Sequence, residues 1–258
     1  MNTRAVSALA RGVVLESVRR KDLWVVAILG GLILFAAGAL GLFGIDGLQV
    51  FVKDLAVTVL GVFGTIVAVL TSSRMLPEEI RQRTLYPLLA RPISRWDLIV
   101  GKFVGAVLVT WIAFLMLAAI TAFALLSFRV EFEPIMGQFL VARMMGLVVV
   151  CALCMALSAF MTPSAAATMG FVLAFGSPMI VRGLTMAYET SPVGLQWVFK
   201  GVNAALPQVH LFNLGGRAVY FDWAPIPTSI LLMLAAYMAI YSLVMVMAAW
   251  LKFRRQAL

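Results

Sequence analysis

Six long apolar runs, parted by short polar segments, organise this chain. They fall at about Trp24–Phe43, Leu55–Ser73, Ile99–Phe128, Gly137–Phe160, Ala165–Ala187 and Pro227–Leu251. Each is long enough for a bilayer-crossing helix, which takes roughly 18 or more nearly uncharged residues. The pattern predicts an all-α polytopic membrane protein, one transmembrane domain over residues 1–258 with six transmembrane helices. The third run gives ~45 Å of helix at ~1.5 Å per residue. That exceeds a hydrocarbon core of about 30 Å, so this helix must tilt or project beyond it.

Three segments outside the runs have patterns of their own. Residues 1–22 place Val6, Leu9, Ala10 and Val13 at helical spacing with Arg4 and Arg11 opposite, which predicts an amphipathic helix in the headgroup layer. Residues 188–225 mix Trp197, Phe199, Phe212, Tyr220, Phe221 and Trp223 with Lys200, His210, Arg217 and Asp222. That mixture suits short helices or a re-entrant piece at the outer interface, where aromatic rings prefer to lie. The third is a polar island, residues 74–97. Pro77 suits the first turn of a helix, with Glu78 and Glu79 where the dipole favours anions. Ile80, Leu85, Leu88 and Leu89 can face the spans while Arg81 and Arg83 project away, and Pro87 ends the helix. Ser94-Arg-Trp-Asp97 is a capping pattern that opens the third span. A helix continuous with two spans is what a membrane protein needs to receive force from a soluble motor.

Charge orients the runs. Only 12% of residues are charged and 63% are hydrophobic, where a soluble domain carries about 25% charge. With the N-terminus inside, 14 of the 20 Lys and Arg fall on inner segments and six on outer ones: Lys53, Arg129, Arg143, Arg182, Lys200 and Arg217. The positive-inside rule then puts both termini and the island in the cytoplasm. The net charge of +9 is therefore a topology signal with attraction to anionic lipid headgroups, not a nucleic-acid signal.

No catalytic or metal constellation stands out. His210 is the single histidine, with Asp222 and Glu189 the nearest carboxylates in sequence. Cys151 and Cys154 share one side of the fourth span, a spacing that reads as buried packing residues before it reads as a soft-metal pair. The one Gly-Lys pair, Gly101-Lys102, lacks the surrounding residues of a phosphate-binding loop. No Asp, Glu or Lys lies near the middle of a span, whereas ion-coupled carriers keep such groups despite their cost. Energy for any transport would arrive from outside the bilayer.

Two further features concern packing. Gly61, Gly64, Thr65 and Ala68 form a small-residue stripe on the second span, able to meet another helix of the same chain or of a second copy. In the fifth, Met169, Phe171, Phe175 and Met179 could line an apolar pathway, and Gly176-Ser-Pro178 should disrupt the helix, since proline removes a backbone donor.

The string Glu79-Ile-x-x-x-Thr84-Leu85-x-x-Leu88-Leu89-x-Arg91-Pro92-Ile93-Ser94-Arg95, then Gly101-Lys102, resembles the cytoplasmic loop of ABC-2 type (type V fold) ABC transporter permeases. It is especially similar to the nitrous-oxide-reductase maturation permease branch, although Arg83 stands where many relatives have glycine. The resemblance implies a multi-pass permease subunit of an exporter in a bacterial plasma (inner) membrane. It implies two copies of a cytoplasmic ABC ATPase that bind ATP and Mg, none bound by this chain, and a second permease subunit in a homodimer. Glu78, Glu79, Arg81, Arg83, Thr84, Leu85, Arg91 and Arg95 would form the coupling region. Gly61, Gly64, Ala68, Met169, Phe171, Phe175, Pro178 and Met179 would line the pathway or dimer interface. An outer accessory protein could dock on residues 188–225. The alternatives are a membrane scaffold or assembly subunit, which needs no coupling island, and a membrane-embedded lipid-processing enzyme.

Overall fold

The computed structural model describes residues 3–19, 22–39, 48–82, 94–127, 133–190, 192–220 and 225–255. In order these form α1 (Thr3–Arg19), α2 (Asp22–Ala39), α3 (Leu48–Gln82), α4 (Arg95–Ser127), α5 (Pro134–Phe160), α6 (Pro163–Thr190) and α7 (Val193–Ala205). A 3-10 turn (Val209–Phe212), α8 (Gly215–Tyr220) and α9 (Thr228–Arg255) follow. Among the described residues there is no strand. Five helices, α3, α4, α5, α6 and α9, are long and apolar enough to span a bilayer, and α2 adds a shorter apolar stretch, Trp24–Phe35. The protein is an all-α polytopic membrane protein.

Polar contacts define two ends. The N-terminal turns of α3 and α5 meet at a far end, where Lys53 Nζ lies 2.6 Å from Glu133 Oε1. The N-terminus of α4 meets the C-terminus of α9 at a basic end, through Arg95 Nη1 and the Arg254 carbonyl at 3.1 Å. α5 is the hub: it packs on α3, α4, α6 and α9, and 67% of its span is buried against 22% for α6 and for α9. Cys151 and Cys154 lie wholly inside, as free thiols, Cys151 Sγ 3.4 Å from Thr110 Oγ1.

Glycines set how closely the helices approach. A Cβ on Gly101 would lie 2.9 Å from Leu9 Cβ, and one on Gly105 2.7 Å from Val13 Cβ. The equal four-residue steps lay α1 side by side with α4 in the same direction, burying Ala10 and Val13. α1 is thus clamped to a span along the face predicted as apolar, and its Arg4, Arg11 and Arg19 stay exposed. Gly30 meets Leu117 between α2 and α4 in the same way, and Gly170 meets Cys154 Sγ between α6 and α5, each within 2.6 Å of the Cβ position.

The segment after α6 forms short helices, as its composition predicts. Its 3-10 turn inserts Phe212, fully buried, against Gly146 of α5. Gln138 fixes the return to α9 with two bonds, its Nε2 donating to the Ile226 carbonyl at 3.0 Å and its Oε1 accepting the Ile226 N–H at 2.7 Å.

Two proline expectations fail. α3 continues through Pro77 to Gln82 instead of starting a new helix there, and α6 continues through Pro178 without a break. Each proline removes one bond to a carbonyl four residues back, and in a long helix the remaining ladder and tertiary packing outweigh that loss.

Replacing Gly105 by leucine should destabilise the α1–α4 contact by about 1–3 kcal/mol through overpacking and lower the melting temperature in detergent. Gly12→Ala, at a position with nothing within 4 Å, should leave it unchanged or higher.

Candidate functional site

Among the described residues, polar contacts gather at the basic end around Arg95, at the middle of α3 opposite Arg143, and around His210. At the first, Ser94 Oγ accepts the Asp97 N–H at 3.0 Å, so the predicted cap does open α4. Arg95 Nη1 donates to the carbonyls of Phe253 at 3.4 Å and Arg254 at 3.1 Å. Those are end carbonyls of α9, where the helix dipole is negative and intrahelical donors run out. Trp96 meets Trp250 edge to face at 5.6 Å, and Arg254 lies over the Trp250 ring at 5.6 Å. Lys252 covers Phe160, the end of α5, at 5.6 Å. The start of α4 and the ends of α5 and α9 form one knot.

The rest of the predicted coupling region is partly outside view. The α3 backbone carries Glu78, Glu79 and Arg81 in helix up to Gln82, but their side chains lie outside the described residues. Arg83, Thr84, Leu85 and Arg91 lie outside them altogether.

The small-residue stripe faces inward. Gly64 is buried, with its Cβ position 3.1 Å from Phe114 and 3.4 Å from Leu147, and Ala68 is fully buried. A Cβ on Gly61 would lie 3.3 Å from Nη2 of the Arg143 guanidinium. In this structure all three lie in contacts within the chain. On α6 the opposite holds: Met169, Phe175, Pro178 and Met179 are exposed and Phe171 half-buried, with the Phe171 and Phe175 rings stacked at 6.2 Å. α3 and α6 are neighbours in one chain, in contact where Gly170 meets Val69.

Arg143 corrects a sequence expectation. Counted there with the outer basic residues, it lies within α5 and is 8% exposed. Its Nη2 donates to the Gly61 carbonyl at 2.6 Å and to Thr65 Oγ1 at 2.9 Å, and its buried Nε has no acceptor. The missed signal was a lone arginine inside an apolar run, opposite a span that offers glycines and a threonine.

Midway along α6, His210 Nδ1 lies 3.2 Å from Ser177 Oγ, joining the 3-10 turn to α6 beside Pro178. Burial holds the His210 pKa below its ordinary value. Lys200 of α7 sits over the rings of Tyr188 at 5.4 Å and Trp197 at 5.5 Å, tying α7 to α6. No group of three or more His, Cys, Asp or Glu side chains converges on a metal-sized site among the described residues.

The depressed His210 pKa means that the neutral ring suits the packed segment. Acidification below the ordinary histidine pKa of about 6.5 therefore charges the unfolded or detached state first and costs stability. The melting temperature should fall between pH 7.5 and 5.5 by more in the wild type than in His210→Gln. Equal falls would remove His210 as the sensor.

Comparison with known proteins bears on the whole bundle. The family model described as ABC-2 family transporter protein matches residues 9–258. No curated protein matches significantly.

Proposed function

The chain belongs to the ABC-2 family of transporter proteins, and from that premise we propose that it is the permease subunit of an exporter driven by a separate cytoplasmic ATPase. Membership supports a membrane transport subunit that works with an ABC ATPase. The observation that carries the coupling reading is the reach of α3, which continues past its apolar span, Val50–Met75, to Gln82 without interruption. Such a helix is a lever with one arm in the bilayer and one beyond it.

In this reading the basic end faces the cytoplasm with both termini, in agreement with the Lys and Arg bias, in a bacterial inner membrane. Glu78, Glu79, Arg81, Arg83, Thr84, Leu85 and Arg91 meet a groove of the ATPase, two copies of which bind ATP and Mg. Arg95 ties the incoming chain to α9 and makes the basic end one body. A second copy of this chain completes the permease, with exposed apolar residues of α6 (Met169, Phe175 and Met179) at the contact or pathway. The loop pattern favours the nitrous-oxide-reductase maturation branch of the family. Residues 188–225 cover the exit and offer a surface to an outer accessory protein.

Closure of the ATPase pair on ATP would draw two coupling regions together, and each α3 would carry that motion into the bundle. A scaffold without transport would share the hydropathy but would gain nothing from a lever that reaches the cytoplasm.

The combined variant Glu79→Ala, Arg81→Ala and Arg83→Ala tests the coupling reading. It should keep the melting temperature of the purified permease and lose most of the co-purifying ATPase activity. Retention of full ATPase activity in that variant would contradict the assignment of this face to the motor.

A further inference from the structure

Arg143 and the middle of α3 form a unit that the transport reading does not use. Within little more than one turn α3 has Gly61, Gly64 and Thr65, whose Oγ1 donates to the Gly61 carbonyl at 2.7 Å. Glycine weakens a helix, and a threonine hydroxyl bonded four residues back bends it. The halves on either side share α5, and each also has a neighbour of its own. The far half holds α5 through Lys53 and Glu133 and meets α8 where Val57 touches Gly215. The basic half puts Val67 in a cluster with Val13 of α1 and Val109 of α4, and Val69 against Gly170 of α6. The weak turn lies within one continuous core, at the seam between the far half's contact with α8 and the basic half's contacts with α1 and α6.

Arg143 sits on that seam. The Gly61 carbonyl receives Nη2 at 2.6 Å besides the Thr65 hydroxyl, and Thr65 Oγ1 receives Nη2 at 2.9 Å, while Nε is buried without an acceptor. One carbonyl is crowded with donors and one donor has none. Charge inside a span is costly and is kept where it serves function, and a buried donor without an acceptor calls for an explanation of its own.

We propose that α3 hinges at Gly61–Thr65 and that Arg143 is the positioning residue that sets the hinge angle from α5. The hinge is a property of this chain alone. Only its consequence, that motion at Gln82 reaches α5 through the guanidinium, rests on the transport reading. A Cβ at Gly61 would crowd the guanidinium, at 3.3 Å from Nη2, and Thr65 both bonds back to the Gly61 carbonyl and accepts the arginine.

Distance distributions between spin labels on the purified full chain in lipid nanodiscs test this. Labels at Arg74→Cys and Met161→Cys, both exposed, report the basic half of α3 against the end of α5, and labels at Val50→Cys and Ser127→Cys, also exposed, report the far half. The native Cys151 and Cys154 are fully buried and do not compete for label. A 20° change at Gly61 would move Arg74 by roughly 7 Å, since 13 residues of helix lie between. In Arg143→Met the Arg74–Met161 distribution should shift or broaden on that scale while Val50–Ser127 stays. Arg143→Lys, which keeps a donor, should lie between, and adding Gly61→Ala to Arg143→Met should narrow the distribution again.

Unchanged distributions in folded Arg143→Met protein would overturn the hinge, as would equal changes in both pairs, which would make Arg143 a general structural pin. If Arg143→Met does not fold, Thr65→Val carries the same comparison, and an unchanged Arg74–Met161 distance there overturns it. No ATPase enters these measurements, so failure to find a motor sinks the transport reading and leaves the hinge standing.

Discussion

Close approach of helix backbones is the constraint on which this bundle depends. Inside a bilayer, burial of apolar side chains against one another gains little over burial in lipid, so helices associate through tight contact and scattered polar bonds. The chain meets this with glycines at its crossings: Gly101 and Gly105 under α1, Gly30 under Leu117, Gly64 under Phe114, Gly146 under Phe212 and Gly170 under Cys154. Around them α5 is enclosed by four other long helices. Among the described residues, polar bonds that tie elements together include Lys53 to Glu133, Gln138 to Ile226, Arg95 to the end of α9 and Arg143 to α3.

Because the core contacts are fixed by shape, the outward surfaces are left apolar. α6 and α9 expose Met169, Phe175, Met179, Leu232, Met233 and Ile240. Lipid or a second subunit covers such faces in a membrane protein. The lever helix α3 differs, with a buried middle and an end that leaves the apolar zone. Inward-facing glycines on α3 and outward-facing methionines and phenylalanines on α6 divide the labour: one helix is held by its own chain, the other is open to a partner.

The architecture was legible in the sequence because span length is a coarse property. Twenty apolar residues read as a span whatever their order, and the Ser94 cap and the aromatic segment after α6 were equally local signals. The failures came from tertiary context. Pro77 reads as the first turn of a new helix and Pro178 as a disruption, yet a long helix tolerates one lost bond. The Gly61, Gly64 and Ala68 stripe signals close packing, but hydropathy cannot say whether the partner is a helix of the same chain or a second copy. Arg143 was misassigned because a charge-bias count treats every arginine near a span end as a loop residue. Its partners, a carbonyl and a hydroxyl about 80 residues away, have no sequence signature. Of the coupling region, only Arg95 could be followed to its contacts, and it holds α9.

The central claim is that this bundle is one half of a machine whose motor is a different protein. Intact-complex mass measurement after mild solubilisation from the native membrane tests it most directly. The account predicts a particle with two copies of this chain and two copies of a protein carrying a phosphate-binding loop. A stable particle without any ATPase, under conditions that preserve other such complexes, would contradict it and favour a scaffold.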